Sequence, residues 1–127
     1  MIKFTQRYLI KIVPIYKELI EKYKSSNNLL RHVDTNDVGY MIIDKVQNNL
    51  IGYVAWDNNI ITALEVIKKY QGKGYSKILL KIAEENNCNE LTVDENNKKA
   101  ISIYEHLGWK FYRSLGPKML IYRKYNI

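Results

Sequence analysis

The sequence predicts an α+β domain, a mostly antiparallel sheet with helices on both faces, from three observations. Strand-like segments at Tyr40 to Val46, Leu50 to Trp56 and Ile60 to Val66 are joined by short Asn-rich turns. The apolar period then changes from two to about 3.6 beyond a glycine loop. A strand, a second helix and a closing strand pair follow. With 127 residues and a hydrophobic fraction of 46%, the chain can bury one core without disulfides or a structural metal, so a single domain over 1–127 is expected.

Taken in order, Met1 to Phe4 reads as a short strand. Thr5 then caps a helix whose apolar stripe runs through Leu9, Ile12, Val13, Tyr16, Leu19, Ile20 and Tyr23. Pro14 falls inside that stripe and either kinks the helix or marks a later start. Gln47-Asn48-Asn49 and Asp57-Asn58-Asn59 are of hairpin length and make the next three strands a meander. The third strand leads through Lys68-Lys69-Tyr70 into Gln71-Gly72-Lys73-Gly74-Tyr75-Ser76. Tyr75, Ile78, Leu79, Ile82 and Ala83 share one face of the helix that follows, with Asn86 and Asn87 as terminators. Glu90 to Asp94 reads as a strand. Asn97 starts a helix carrying Ala100, Ile103, Tyr104 and Leu107, and Gly108 stops it. Trp109 to Arg113 and Lys118 to Tyr125 form the final pair across Leu115-Gly116-Pro117.

Composition narrows the functional classes. No long apolar run follows the positive residues of the opening segment, and polar residues interrupt every later apolar stretch, so neither a signal peptide nor a transmembrane helix is expected. Cys88 is the only cysteine, which rules out an intramolecular disulfide, and with only His32 and His106 a zinc site lacks its usual ligands. A cytoplasmic location without metal is the expectation. The net charge of +7 suits an anionic ligand, and the scattered placement of the basic residues disfavours a nucleic-acid tail.

Chemistry concentrates where a strand meets the glycine loop and the loop opens a helix. There the first helical turn leaves backbone N–H groups unpaired and the macrodipole adds positive potential, so a pyrophosphate can bind to backbone alone. Gly72 and Gly74 allow close approach, while Gln71, Lys73, Lys68 and Lys69 add donors and charge. The spacing is too short for the P-loop pattern, and Lys77 stands where the Rossmann fingerprint needs glycine.

The loop resembles the cofactor motif of the GNAT N-acetyltransferases, Q/R-x-x-G-x-G/A, with Ser76 in place of the last small residue. A second motif of that family, L-x-V-x-x-x-N-x-x-A-x-x-[LI]-Y-x-x-x-G-[FW], is matched by Leu91, Val93, Asn97, Ala100, Ile103, Tyr104, Leu107, Gly108 and Trp109. The resemblance runs from about Leu50 to about Arg113, and the first 40 residues are compatible with it. It implies that the fourth strand, Ile60 to Val66, and the fifth, Glu90 to Asp94, are parallel neighbours that splay apart around a pantetheine arm. A bulge in the fourth strand would produce the splay. The resemblance further implies that backbone groups of Val66, Ile67 and Lys68 hold the pantetheine and polarise the thioester. Gln71, Gly72, Lys73, Gly74, Tyr75 and Ser76 would cradle the pyrophosphate, Asn97 would contact the cofactor, and Tyr104 would act as general acid near the sulfur.

The implied activity is transfer of acetyl from acetyl-CoA to a primary amine by direct attack in a ternary complex. Glu65 and Asp94 are the carboxylates adjoining the expected thioester, and Glu65 is taken as the candidate base. Each functional residue also has a structural alternative: Asn97 is a good N-cap, and Tyr104 lies on an apolar stripe in a chain with 11 tyrosines. The expected partners are acetyl-CoA and an amine acceptor, small molecule or peptide, with the protein as monomer or homodimer. The rivals are an acetyl-CoA-binding module without turnover and a small basic nucleic-acid-binding domain.

Overall fold

The computed structural model describes residues 9–15, 21 and 38–125. Among them is a seven-stranded sheet of order β1-β2-β3-β4-β5-β7-β6. The strands are β1 (Ile10–Pro14), β2 (Val38–Asp44), β3 (Asn49–Asp57), β4 (Ile60–Val66), β5 (Glu90–Asp94), β6 (Lys110–Leu115) and β7 (Met119–Arg123). Two helices, α1 (Tyr75–Glu85) and α2 (Lys98–His106), and a short 3₁₀ turn at Lys68–Tyr70 complete the described elements. Every strand pairing is antiparallel except that of β4 with β5. This is the α+β class and mixed sheet that the sequence predicts.

The meander is built by its asparagines. Asn48 and Asn58 sit in turns with φ of 56° and 55°, left-handed values that asparagine tolerates better than most residues. The side chain of Asp44 reinforces the first turn by accepting from the N–H groups of Val46 and Gln47 at 2.9 and 3.2 Å. Both helices end in a closure with the penultimate N–H bonds doubled back onto the last turn. At α1, Asn87 (φ 69°) donates to Glu84 and Cys88 to Ala83; at α2, Gly108 (φ 94°) donates to Glu105 and Trp109 to Tyr104. The second closure fixes the end of the helix that carries Tyr104.

The larger core cluster lies between one face of the sheet and both helices. Leu79, Leu80 and Ala83 of α1 and Tyr104 of α2 meet Ile42, Val54, Trp56, Leu91 and Trp109 there. Residues alternating with these along the strands form a second cluster of Met41, Ile43, Leu50, Tyr53 and Ala55 on the opposite face. The Tyr16 to Tyr23 part of the helix expected from a Thr5 cap onward, and the strand expected at Met1 to Phe4, lie outside the described residues, Glu21 apart. No helix among the described residues is long and apolar enough to cross a membrane.

One sequence expectation fails here. Leu9, Ile12 and Val13, read as a helical stripe, belong to a turn and an edge strand in which Ile10 stands opposite Asp44 and Pro14 opposite Tyr40. The β-branched Ile10, Ile12 and Val13 suit a strand, and β2 offers an open edge for them. The bonds Ile15 N–H to Gly39 O and Lys45 N–H to Leu9 O set the alternation. Pro14 thereby falls at a non-hydrogen-bonded pair, with its missing N–H on the open side of the sheet. It neither kinks a helix nor starts one.

Candidate active site

The site begins with a defect in the sheet. β3 and β4 keep antiparallel register from Gly52 opposite Val66 to Asp57 opposite Ile60, but the register skips Thr62, which makes a bulge in β4. On its other side β4 pairs with β5 only at Ile60 opposite Glu90 and Ile61 opposite Leu91. Beyond those two positions the strands separate, as the resemblance implies.

Ladder alternation decides which backbone groups face the gap. Ile67 N–H donates to Ile51 O at 2.8 Å, so that pair is hydrogen-bonded. Counting back by twos, the N–H and C=O groups of Leu64 and Val66 then point away from β3, into the space that β5 vacates. Gln71 Nε2 donates to Val66 O at 3.0 Å, consistent with that direction. These are oriented donors and acceptors of the kind that hold an extended amide chain and stabilise a developing oxyanion.

Below the gap the chain makes its 3₁₀ turn and enters the glycine loop. Gly72 and Gly74 have φ of 77° and 91°, which side-chain-bearing residues rarely adopt. Gly74 is the N-cap of α1, has no side chain to cap it, and leaves the first-turn N–H groups for a ligand. Tyr70 anchors this region from beneath by donating from Oη to Asp44 Oδ2 at 2.9 Å. Burial and that bond both push the Tyr70 hydroxyl above its ordinary pKa.

Two cavities adjoin the gap. The larger, of about 590 Å³, runs from Leu64 and Val66 past Gln71, Gly72, Gly74, Tyr75 and Ser76 to Lys77, with Lys99, Ser102, Ile103 and His106 of α2 opposite. The smaller, of about 340 Å³, is lined by Tyr53, Thr62, Glu65, Thr92, Asp94 and Met119 among others. Leu64, Glu65, Asn97 and Tyr104 line both. Asn97 and Tyr104 are both positioned by α2. Asn97 Oδ1 accepts from Ala100 N at 3.2 Å as N-cap, which orients the side chain and leaves its amide N–H₂ as the group not used in capping. Tyr104 is 8% exposed, and burial raises its hydroxyl pKa above 10.0, so it keeps its proton at neutral pH. Glu65, itself exposed, is held by Tyr53 Oη at 2.8 Å.

The residues expected from sequence therefore divide. Val66, Gln71, Gly72, Gly74, Tyr75, Ser76, Asn97 and Tyr104 line the larger cavity, and Glu65 borders both cavities. Ile67, Lys68 and Lys73 do not line either. The Ile67 N–H is committed to the sheet, and the Lys68 carbonyl accepts from Gln71 N–H at 3.2 Å within the 3₁₀ turn. Leu64, Lys77, Lys99, Ser102 and His106 join the lining of the larger cavity, and neither motif singles them out. Cys88, buried and pushed up to about 11 by burial, has no place in the site.

A sheet opened between two parallel strands above a glycine loop and a helix N-terminus offers backbone groups to an extended chain and free N–H groups to its anionic end. The Acetyltransferase (GNAT) domain model matches residues 13–118, and the chain belongs to the GNAT acetyltransferase family. No curated protein sequence matches it. Solved structures share its fold at low identity. NAA60 of Arabidopsis thaliana in complex with acetyl-CoA is 18% identical, with a TM-score of 0.70 over 92% of this chain and 99% of that one. IAA acetyltransferase of Bacillus cereus is 17% identical, with a TM-score of 0.68 over 91% and 98%. PaiA N-acetyltransferase of Thermoplasma acidophilum in complex with coenzyme A is 20% identical, with a TM-score of 0.61 over 91% and 99%.

Proposed function

We propose that this protein transfers the acetyl group of acetyl-CoA to a primary amine. The observation that carries the reading is the meeting of the two cavities at Leu64, Glu65, Asn97 and Tyr104. One side offers a channel ending on a helix N-terminus with Lys77 and Lys99, suited to pantetheine and polyphosphate. The other offers the carboxylates of Glu65 and Asp94 and, among the described residues, no lysine or arginine, on a chain of net charge +7. That polarity suits an ammonium group. The complexes of fold neighbours with acetyl-CoA and coenzyme A support the choice of donor.

In this reading the Leu64 and Val66 backbone groups hold the pantetheine and polarise the thioester carbonyl. The amine nitrogen attacks that carbon and loses its proton to Glu65, directly or through water. As the C–S bond breaks, Tyr104 gives its hydroxyl proton to the departing thiolate and recovers it from solvent. The Tyr53 hydroxyl orients the Glu65 carboxylate, and the Asn97 amide contacts the pantetheine. The test is thiol release from acetyl-CoA across a panel of primary amines, with mass analysis of the product. Amine-dependent thiol release and an N-acetyl product are expected; acetyl-CoA binding without turnover on any amine would reduce the protein to a binding module.

A further inference from the structure

We infer that Lys99 is a cofactor-binding residue that trades a stand-in partner, the Gln71 amide, for a phosphate oxygen of the acyl carrier. The inference rests on the donor proposed above. Lys99 Nζ donates to Gln71 Oε1 at 2.9 Å, across the mouth of the larger cavity and against the first residue of the phosphate loop. Gln71 in turn donates from Nε2 to Val66 O, one of the carbonyls turned into the gap. The two bonds form a strap over the channel: Gln71 holds an acceptor that a pantetheine amide would take, and Lys99 holds Gln71.

Three features make the ammonium a phosphate ligand and not a structural prop. Its partner is a neutral amide, and among the described residues no carboxylate lies within ion-pair range of it. It sits in the first turn of α2, beside Lys98 and with no acidic residue in that turn, where a cation opposes the helix dipole. Lys99 lines the cavity whereas Lys98 does not. A charge placed against its own helix, facing an N-terminal anion site on the opposite wall, has its compensation in an anion between the two. Binding would release Gln71 from Val66 and let Lys99 swing a short distance onto the pyrophosphate.

The experiment titrates coenzyme A and, separately, S-acetylpantetheine, which lacks the phosphates, into wild type, Lys99→Met, Lys99→Arg and Lys98→Met by calorimetry, with thermal melts confirming the fold. Lys99→Met should weaken coenzyme A about tenfold, as expected for one lost charge-assisted bond. Its affinity for S-acetylpantetheine should hold or rise, because the strap is loosened. Lys99→Arg should recover most of the loss, and Lys98→Met should change either ligand less than about twofold, as a surface charge outside the site. Equal weakening of both ligands in a folded Lys99→Met protein would make Lys99 a mere support for Gln71, and unchanged coenzyme A binding would remove it from the site; either overturns the inference. Failure of wild type to bind coenzyme A would instead overturn the choice of donor.

Discussion

The two sides of β4 are built on opposite terms. Toward β3 the strand is laddered along its length and closely approached: a Cβ on Gly52 would stand 2.6 Å from the Glu65 carbonyl. Toward β5 it is paired at two residues and then released. The same strand is thus laddered sheet on one edge and open backbone on the other. The Thr62 bulge lies just past the last shared pair, so the turn of the strand and the loss of pairing coincide. Backbone polar groups buried without partners are costly, and in the free protein Gln71 Nε2 meets the Val66 carbonyl. In the proposed reading an extended acyl carrier completes that edge, with its phosphates on the loop and helix dipole below the gap.

The largest effect is expected from breaking the open side at its anion end. Gly74→Asp puts a carboxylate at the helix N-terminus and a side chain on a residue with φ of 91°. It should weaken acetyl-CoA at least about a hundredfold and abolish the rise in melting temperature that a native-state ligand produces. A folded mutant with a normal shift would place the phosphates elsewhere.

Next comes the junction of the cavities. Tyr104→Phe keeps the ring and its packing but removes the proton, so kcat and kcat/KM should fall by about 10²-fold with acetyl-CoA affinity and melting temperature nearly unchanged. Because burial raises the hydroxyl pKa above 10.0, an alkaline limb from Tyr104 should be absent from the kcat profile below that pH. A wild-type kcat in the Phe variant, or an alkaline decline near neutrality that the variant abolishes, would remove Tyr104 from the acid role.

On the closed side, Gly52→Ala should cost about 1 to 3 kcal/mol of stability by crowding β3 against β4, read by chemical denaturation. A neutral substitution would show that the ladder is not tight at Val66. The smallest effect tests the core behind the site. With its thiol pushed up to about 11, Cys88 should resist a thiol reagent at pH 8 in the folded protein and react when the chain is unfolded. Rapid labelling of the native protein would contradict its burial.

Much of this comparison is legible in sequence, and what is missing has a physical cause. β4 and β5 fall at the residues that alternation and turn chemistry predict, and Asn97, Gly74 and Gly108 mark helix ends because their backbone roles are local. Leu9, Ile12 and Val13 mislead because their spacing satisfies a helix, while the partner that makes them a strand lies about 30 residues on. Lys99 and His106 are exposed and also border the cavity, a role that helical periodicity cannot show because it separates core from surface and nothing finer. The resemblance points to the Ile67 backbone and not to Leu64, because the direction of a backbone N–H depends on cross-strand register, which no single strand carries.

Residue-resolved amide exchange across β4 tests the central claim most directly. In the free protein, Leu64 and Val66 should exchange faster than Ala63, Glu65 and Ile67, whose N–H groups lie in the ladder with β3. Saturating acetyl-CoA should slow Leu64 and Val66 and leave the alternating three unchanged. Protection of all five alike, or of none while acetyl-CoA is demonstrably bound, would show that the open edge of β4 is not where the acyl carrier lies.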